Sequence, residues 1–198
     1  MEVTLTLFRL GITVAALGAV VIFQEEIRRA FERLSSGRML RWTQTEPEWR
    51  SLVDTVVDSM GELAGKSVGA LVVFRAKEPL ERHLNGGHTL DGLISAPLLA
   101  SLFGPRTDGH DGAVVVIDGR LIAAGCFLPL SNQPDIHRSF GTRHRAALGM
   151  AEETDAVVLA VSEETGTLSL AYEGNLFYDL DEDEIRRRLH ELLGLSSS

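Results

Sequence analysis

With 198 residues, 44% of them hydrophobic and 24% charged, the chain has the length of one ordinary domain plus an appendage and the composition of a protein with a real core. Its formal net charge of −9 argues against nucleic acid as a partner, because a surface that grips phosphate backbones is normally basic. A single cysteine, Cys126, excludes an internal disulfide and any cysteine-rich metal site, and reads as a small buried apolar residue.

The first segment, VTLTLFRLGITVAALGAVVIF at 3–23, is apolar apart from threonines and Arg9, and its length suits a bilayer span. Arg28, Arg29, Arg33, Arg38 and Arg41 follow, a bias that predicts a cytoplasmic location for the bulk of the chain. A cleaved signal peptide is the rival reading. The acidic start at Glu2 and the lack of a small-residue cleavage site weigh against it. The expectation is a single-pass anchor over 1–23, then an amphipathic helix and linker over 24–45, with Phe23, Ile27, Ala30, Phe31 and Leu34 at helical spacing.

A folded domain is expected over 46–198. Residues 46–63 read as a helix with Trp49, Leu52, Val53, Val56, Val57 and Met60 on one face. SVGALVVF at 67–74 reads as a buried strand, PLERHL at 79–84 as a short extended piece, and SAPLLASLF at 95–103 as a helix. GAVVVID and RLIAAGCFL are two strands joined at Asp118-Gly119, a strong hairpin signal. A helix starts near Thr142, AVVLAVS and TLSLAY are two more strands around a turn at 164–166, and 181–193 is a closing helix with acids in its first turn. Strands interleaved with helices predict an α/β fold, a mixed central sheet flanked by helices.

GELAGKS at 61–67 resembles a phosphate-binding loop, but only three residues separate its glycines and it runs from a helix into a strand. Gly65 is more simply a helix C-cap.

Three other stretches carry chemistry. In SFGTRHRAALGM, Gly141 and Thr142 announce a helix start, with Thr142 the expected N-cap. Arg143, His144 and Arg145 follow at once, although cations at a helix N-terminus are unfavourable by roughly 0.3–1 kcal/mol each. A bound polyanion removes that conflict, and arginine's planar fork suits phosphate oxygens. The bland alternative is a solvated turn pairing with Glu152 or Glu153. In DGHDGAVVV, Asp111 can project from a sheet end, where a carboxylate beside a triphosphate would hold Mg²⁺ or Mn²⁺ or accept a proton. In VSEETG, Ser162 can donate to a phosphate, and Glu163 or Glu164 could complete a metal site or be plain solvated charge.

Together, Asp111-Gly112-Ala113 and Gly141-Thr142-Arg143-His144-Arg145 resemble the signatures of the diadenylate cyclase family. The likeness extends over about 23–193 and is greatest to the membrane-anchored branch. It implies a nucleotidyltransferase that condenses two ATP molecules into cyclic di-AMP and releases two pyrophosphates, with Mg²⁺, Mn²⁺ or Co²⁺. Asp111 would bind metal and help activate the ribose 3′-hydroxyl, with Gly112 and Ala113 beside the nucleotide. Gly141, Thr142, Arg143, His144 and Arg145 would hold the triphosphate, Arg143 also stabilising charge in the reaction. Ser162 and Glu163 would border the phosphates, and His110 and Glu164 would be further metal ligands. Phe127 and Leu128, with Pro129 and Leu130, would border the adenine; relatives often have tyrosine where Phe127 stands. Ring closure needs two reciprocal bonds, hence a face-to-face homodimer. Relatives commonly carry three membrane segments where this chain has room for one. The resemblance implies a plasma-membrane protein with its catalytic domain in the cytoplasm; a regulatory protein could act through the anchor or through the 23–34 helix, and the sequence does not choose between them. A silent nucleotide sensor and a tethered interaction module are the competing readings.

Overall fold

A run of five residues with no polar member, Ala70–Phe74, forms β1, the middle strand of the sheet, and every one of its side chains is buried. The computed structural model describes residues 46–104, 111–133 and 140–195, together with Arg9. Residues Gln44–Ser198 make up one compact unit. The expected membrane span apart from Arg9, the 24–45 segment and His110 lie outside the described residues. Among those described, no helix is long and apolar enough to cross a membrane.

The chain enters through α1 (Glu46–Gly65), passes β1, and forms β2 (Asn85–Leu93), α2 (Ala96–Leu102), β3 (Ala113–Ile117) and β4 (Arg120–Phe127). It then makes α3 (Thr142–Glu153), β5 (Val157–Val161), β6 (Leu168–Tyr172), β7 (Asn175–Leu180) and α4 (Glu182–Leu192). Seven strands build one sheet in the order β2-β4-β3-β1-β5-β6-β7. Only β1 and β3 run parallel; every other neighbouring pair is antiparallel. The mixed sheet expected from the sequence is present.

Strand alternation divides the core between two faces. Val72, Phe74, Val114, Leu159 and Leu170 point towards α1, α2 and α4, where Val53, Val57, Met60, Leu99, Ile185 and Leu189 meet them. Leu71, Val73, Val115, Val158 and Ala160 point the other way, against Ala146, Ala147, Met150 and Ala151 of α3. Three alanines on that helix let it lie close to the sheet, which fixes where its N-terminus arrives.

Local signals held where the physics was local. Asp118 and Gly119 both take left-handed backbone angles, φ 48° and 74°, and close the β3–β4 hairpin. Asp181 caps α4 by accepting from the Glu184 amide at 2.8 Å, with Glu182, Asp183 and Glu184 in the first turn. Three expectations need correction. Residues 79–84 hold a turn at 81–83, closed by the His83 amide on the Leu80 carbonyl at 2.9 Å, in place of a continuous extended piece. β2 and β7 were not expected at all; both are edge strands, β2 glycine-rich and almost wholly exposed. Gly65 is the last helical residue of α1, and the left-handed position that stops the helix belongs to Ser67 (φ 52°). There the Ser67 amide donates to the Ala64 carbonyl and the Val68 amide to that of Leu63, at 3.0 and 2.9 Å, which satisfies two terminal carbonyls.

Ser67→Gly therefore removes a steric penalty. It is expected to stabilise the domain by roughly 0.5–1 kcal/mol after the entropy of glycine in the unfolded chain is offset, read as a higher thermal midpoint. An unchanged or lower midpoint would contradict the assignment.

Candidate functional site

The strand registers bring four chain segments to one end of the sheet. β4 runs antiparallel to β3, with Cys126 opposite Ala113, so Phe127 at its end lies beside the start of β3. β5 runs antiparallel to β1, with Val161 opposite Ala70, so Ser162 lies beside Gly69. Across β4, β3, β1 and β5 this edge presents Phe127, then Asp111 and Gly112, then Gly69, then Ser162 and Glu163. Three gaps between neighbouring strands span roughly 14 Å, about the reach of an extended nucleoside triphosphate.

Each position has a local cause. Gly112 has φ +122°, and a Cβ there would stand 2.6 Å from the carbonyl carbon of Gly125. Only glycine permits that approach, which coincides with a bulge between β3 and β4. Asp111 beside it, at the sheet tip, is exposed, and Ala113 on its other side is buried. Phe127 packs against Gly86 yet stays 54% exposed, while Leu128 turns inward. Ser162 accepts the Thr165 amide on Oγ at 3.3 Å, so its own hydroxyl proton remains available to a ligand.

α3 delivers the cations. Gly141, in extended backbone, is the N-cap, and Thr142 is the first helical residue, a correction by one position. Gly141 has no side chain with which to cap this terminus, and no acid occupies its first turn. Arg143 reaches down to the sheet end, where its guanidinium rests on Gly69: a Cβ at that glycine would lie 2.5 Å from Nη1 and 2.6 Å from Cζ. Nη1 also donates to Glu163 Oε2 at 2.5 Å. Glu163 thus relieves within the chain part of the conflict between cation and helix dipole. The expected alternative partners are engaged elsewhere, Glu152 with Ser131 and Glu153 with His83.

The other two members of the basic run leave the site. His144 is 4% exposed, its ring against Phe140 and Tyr178 at centroid distances of 5.1 and 5.7 Å. Its Nε2 is buried with no hydrogen-bond partner among the described residues. Burial pushes its pKa below the ordinary value, and the charge of Glu164 offsets part of that shift. Arg145 donates from Nε and Nη2 to the Ser131 carbonyl at 3.3 and 3.1 Å. The structure therefore does not gather both guanidiniums and the imidazole at one place; of the basic run, Arg143 alone lies at the sheet end.

Among the described residues no three His, Cys, Asp or Glu side chains cluster tightly enough to hold a metal by themselves. Asp111 offers one exposed carboxylate and Glu164 another on the β5–β6 turn. Both are oxygen donors, the kind a hard divalent cation takes. Sequence reasoning missed Gly69. Its signal was a glycine opening a buried strand, a place where something must approach the backbone closely.

Comparison with known proteins gives the family and the fold. The family model described as DAC, DisA bacterial checkpoint controller nucleotide-binding, matches residues 57–176. The cyclic di-AMP synthase CdaA of Bacillus subtilis is 37% identical over 181 residues, covering 90% of this chain and 66% of that protein. A diadenylate cyclase of Listeria monocytogenes is 38% identical over 175 residues, 87% of this chain and 64% of that protein. The chain thus spans just under two thirds of the length of these relatives. A double-cysteine mutant of DacA from Staphylococcus aureus superposes with a TM-score of 0.70 at 37% identity, covering 72% of this chain and 95% of that one. A hypothetical membrane spanning protein from Bacillus cereus superposes with a TM-score of 0.62 at 39% identity, covering 64% of this chain and 62% of that one.

The buried neutral His144 has a consequence for pH. Its folded pKa lies below the unfolded value near 6.5, so the unfolded chain takes up a proton first as the pH falls. Its contribution to stability is complete above pH 6.5 and is lost as the pH drops towards the folded value. Between pH 7.5 and 5 the thermal midpoint of the wild type is expected to fall further than that of His144→Phe. Parallel curves would show that His144 is not held neutral.

Proposed function

The chain belongs to the DAC family, and from that premise we propose that it is a diadenylate cyclase that joins two ATP molecules into cyclic di-AMP. One observation carries the reading: an aromatic face, a carboxylate and a guanidinium stand in that order along a single sheet end, at Phe127, Asp111 and Arg143. An ATP laid along it has its base on Phe127 and its ribose at Gly112. Its triphosphate reaches Arg143, Ser162 and the start of α3 at Gly141 and Thr142.

In the reaction the ribose 3′-oxygen of one ATP attacks the α-phosphorus of another. A P–O bond forms there, the bond from the α-phosphorus to the bridging oxygen breaks, and pyrophosphate leaves. Asp111 orients the 3′-hydroxyl and takes its proton. Arg143 and the helix terminus stabilise the charge that gathers on the transferring group and on the departing pyrophosphate. A divalent cation held by Asp111, with Glu164 and His110 as additional ligands, would acidify the hydroxyl and screen the phosphates. A second, reciprocal attack closes the ring, so two copies of the chain meet with their sheet ends facing. The apolar run at 3–23 and the likeness to a membrane spanning protein support attachment to the plasma membrane, with this domain on the cytoplasmic side.

The full chain incubated with ATP and Mn²⁺ is expected to yield cyclic di-AMP by mass spectrometry. Asp111→Asn should lower the rate by at least about 10²-fold while ATP still binds. A wild type that makes no cyclic dinucleotide, or a variant that turns over normally, would refute the proposal.

A further inference from the structure

The segment that follows β4 is fastened to α3 from several sides. The Ser131 amide donates to the Arg145 carbonyl at 2.9 Å, and the Arg145 guanidinium donates back to the Ser131 carbonyl. Ser131, itself 1% exposed, gives its hydroxyl proton to Glu152 Oε1 at 2.6 Å. Pro129 lies on the bare backbone of Gly149, where a Cβ would stand 2.3 Å from its carbonyl oxygen and 2.6 Å from the Ser131 nitrogen. These ties use Arg145, Gly149 and Glu152, residues about one turn apart along the helix that also carries Arg143. Immediately before the strap, and within it, Phe127 and Leu130 leave large apolar side chains 54% and 50% exposed. An exposed pair of that kind at the end of a sheet is a surface for a flat apolar group such as a nucleobase.

We infer that Arg145 is a positioning residue rather than a phosphate ligand: by tying segment 129–131 to α3 it fixes the distance between the base-facing side chains Phe127 and Leu130 and the phosphate-facing Arg143. The inference rests on the reading of the sheet end as an ATP site, and it assigns specificity for the base to a contact remote from the base. A phosphate-binding arginine and a strap-holding arginine have different signatures. Loss of the first costs more affinity with each added phosphate. Loss of the second costs the same for every nucleotide bearing the same base, and it blurs the distinction between bases because the side chains flanking the base are no longer held.

The test titrates the full chain with AMP, ADP, ATP and GTP. Arg145→Ala is expected to weaken all three adenine nucleotides by a similar factor, on the order of tenfold, and to narrow the preference for ATP over GTP. Arg143→Ala should instead show a loss that grows from AMP to ATP with the base preference kept. Gly149→Ala changes no charge but pushes Pro129 off the helix, so it should narrow the base preference as Arg145→Ala does; it also carries the test if Arg145→Ala does not fold. A loss in Arg145→Ala that grows with phosphate number, or a Gly149→Ala variant with wild-type base preference, would overturn the inference and leave the cyclase reading standing. A wild type that binds none of the four nucleotides would overturn both.

Discussion

The guanidinium of Arg143 resting on bare backbone at Gly69 is the contact on which the site depends. It needs a helix packed closely enough for its N-terminus to overhang the sheet end, which the alanines of α3 allow. It needs a strand that begins without a side chain, which Gly69 provides. It also needs a counter-charge, because a cation in the first helical turn is opposed by the dipole, and Glu163 supplies one from the end of β5. The ion pair is modest, since Glu163 is largely exposed and water screens it. An arginine held in this way has a fixed direction, and its ion pair with Glu163 is open to solvent on the acid's side.

Much of the fold was legible because its signals were short-range. Buried runs marked β1, β3 and β5, a left-handed dipeptide marked the β3–β4 hairpin, and acids beside Asp181 marked the start of α4. β2 was illegible for the converse reason. Its side chains face solvent on both sides, so no alternation is written into Asn85–Leu93, and Gly86, Gly87 and Asp91 read as loop. β7 hid behind a Glu173-Gly174 turn, which takes the same left-handed geometry as Asp118-Gly119 but lacks the usual Asn or Asp.

The site was legible as residues and only partly as directions. The Asp111-Gly112 and Gly141–Arg145 stretches do reach one region, but the three consecutive basic side chains of the helix go to three different places. Successive positions turn by about 100°, so Arg143 faces the sheet end, His144 the packed interior beside Phe140 and Tyr178, and Arg145 the strap at Ser131. A compact basic motif thus divides into one group at the sheet end, one that packs and one that holds the Ser131 segment. The apparent conflict of three cations with the helix dipole shrinks once each has its own surroundings.

The account's central claim is spatial: a single nucleotide lies along the sheet end with its base at Phe127 and its phosphates at Arg143. The most direct measurement is a crystal structure of the protein bound to a non-hydrolysable ATP analogue and Mn²⁺. The account predicts phosphate oxygens within hydrogen-bond reach of Arg143 and Ser162, the ribose beside Gly112, and the adenine against Phe127. A nucleotide bound in the reverse sense, or on another surface with Arg143 still on Glu163, would contradict it.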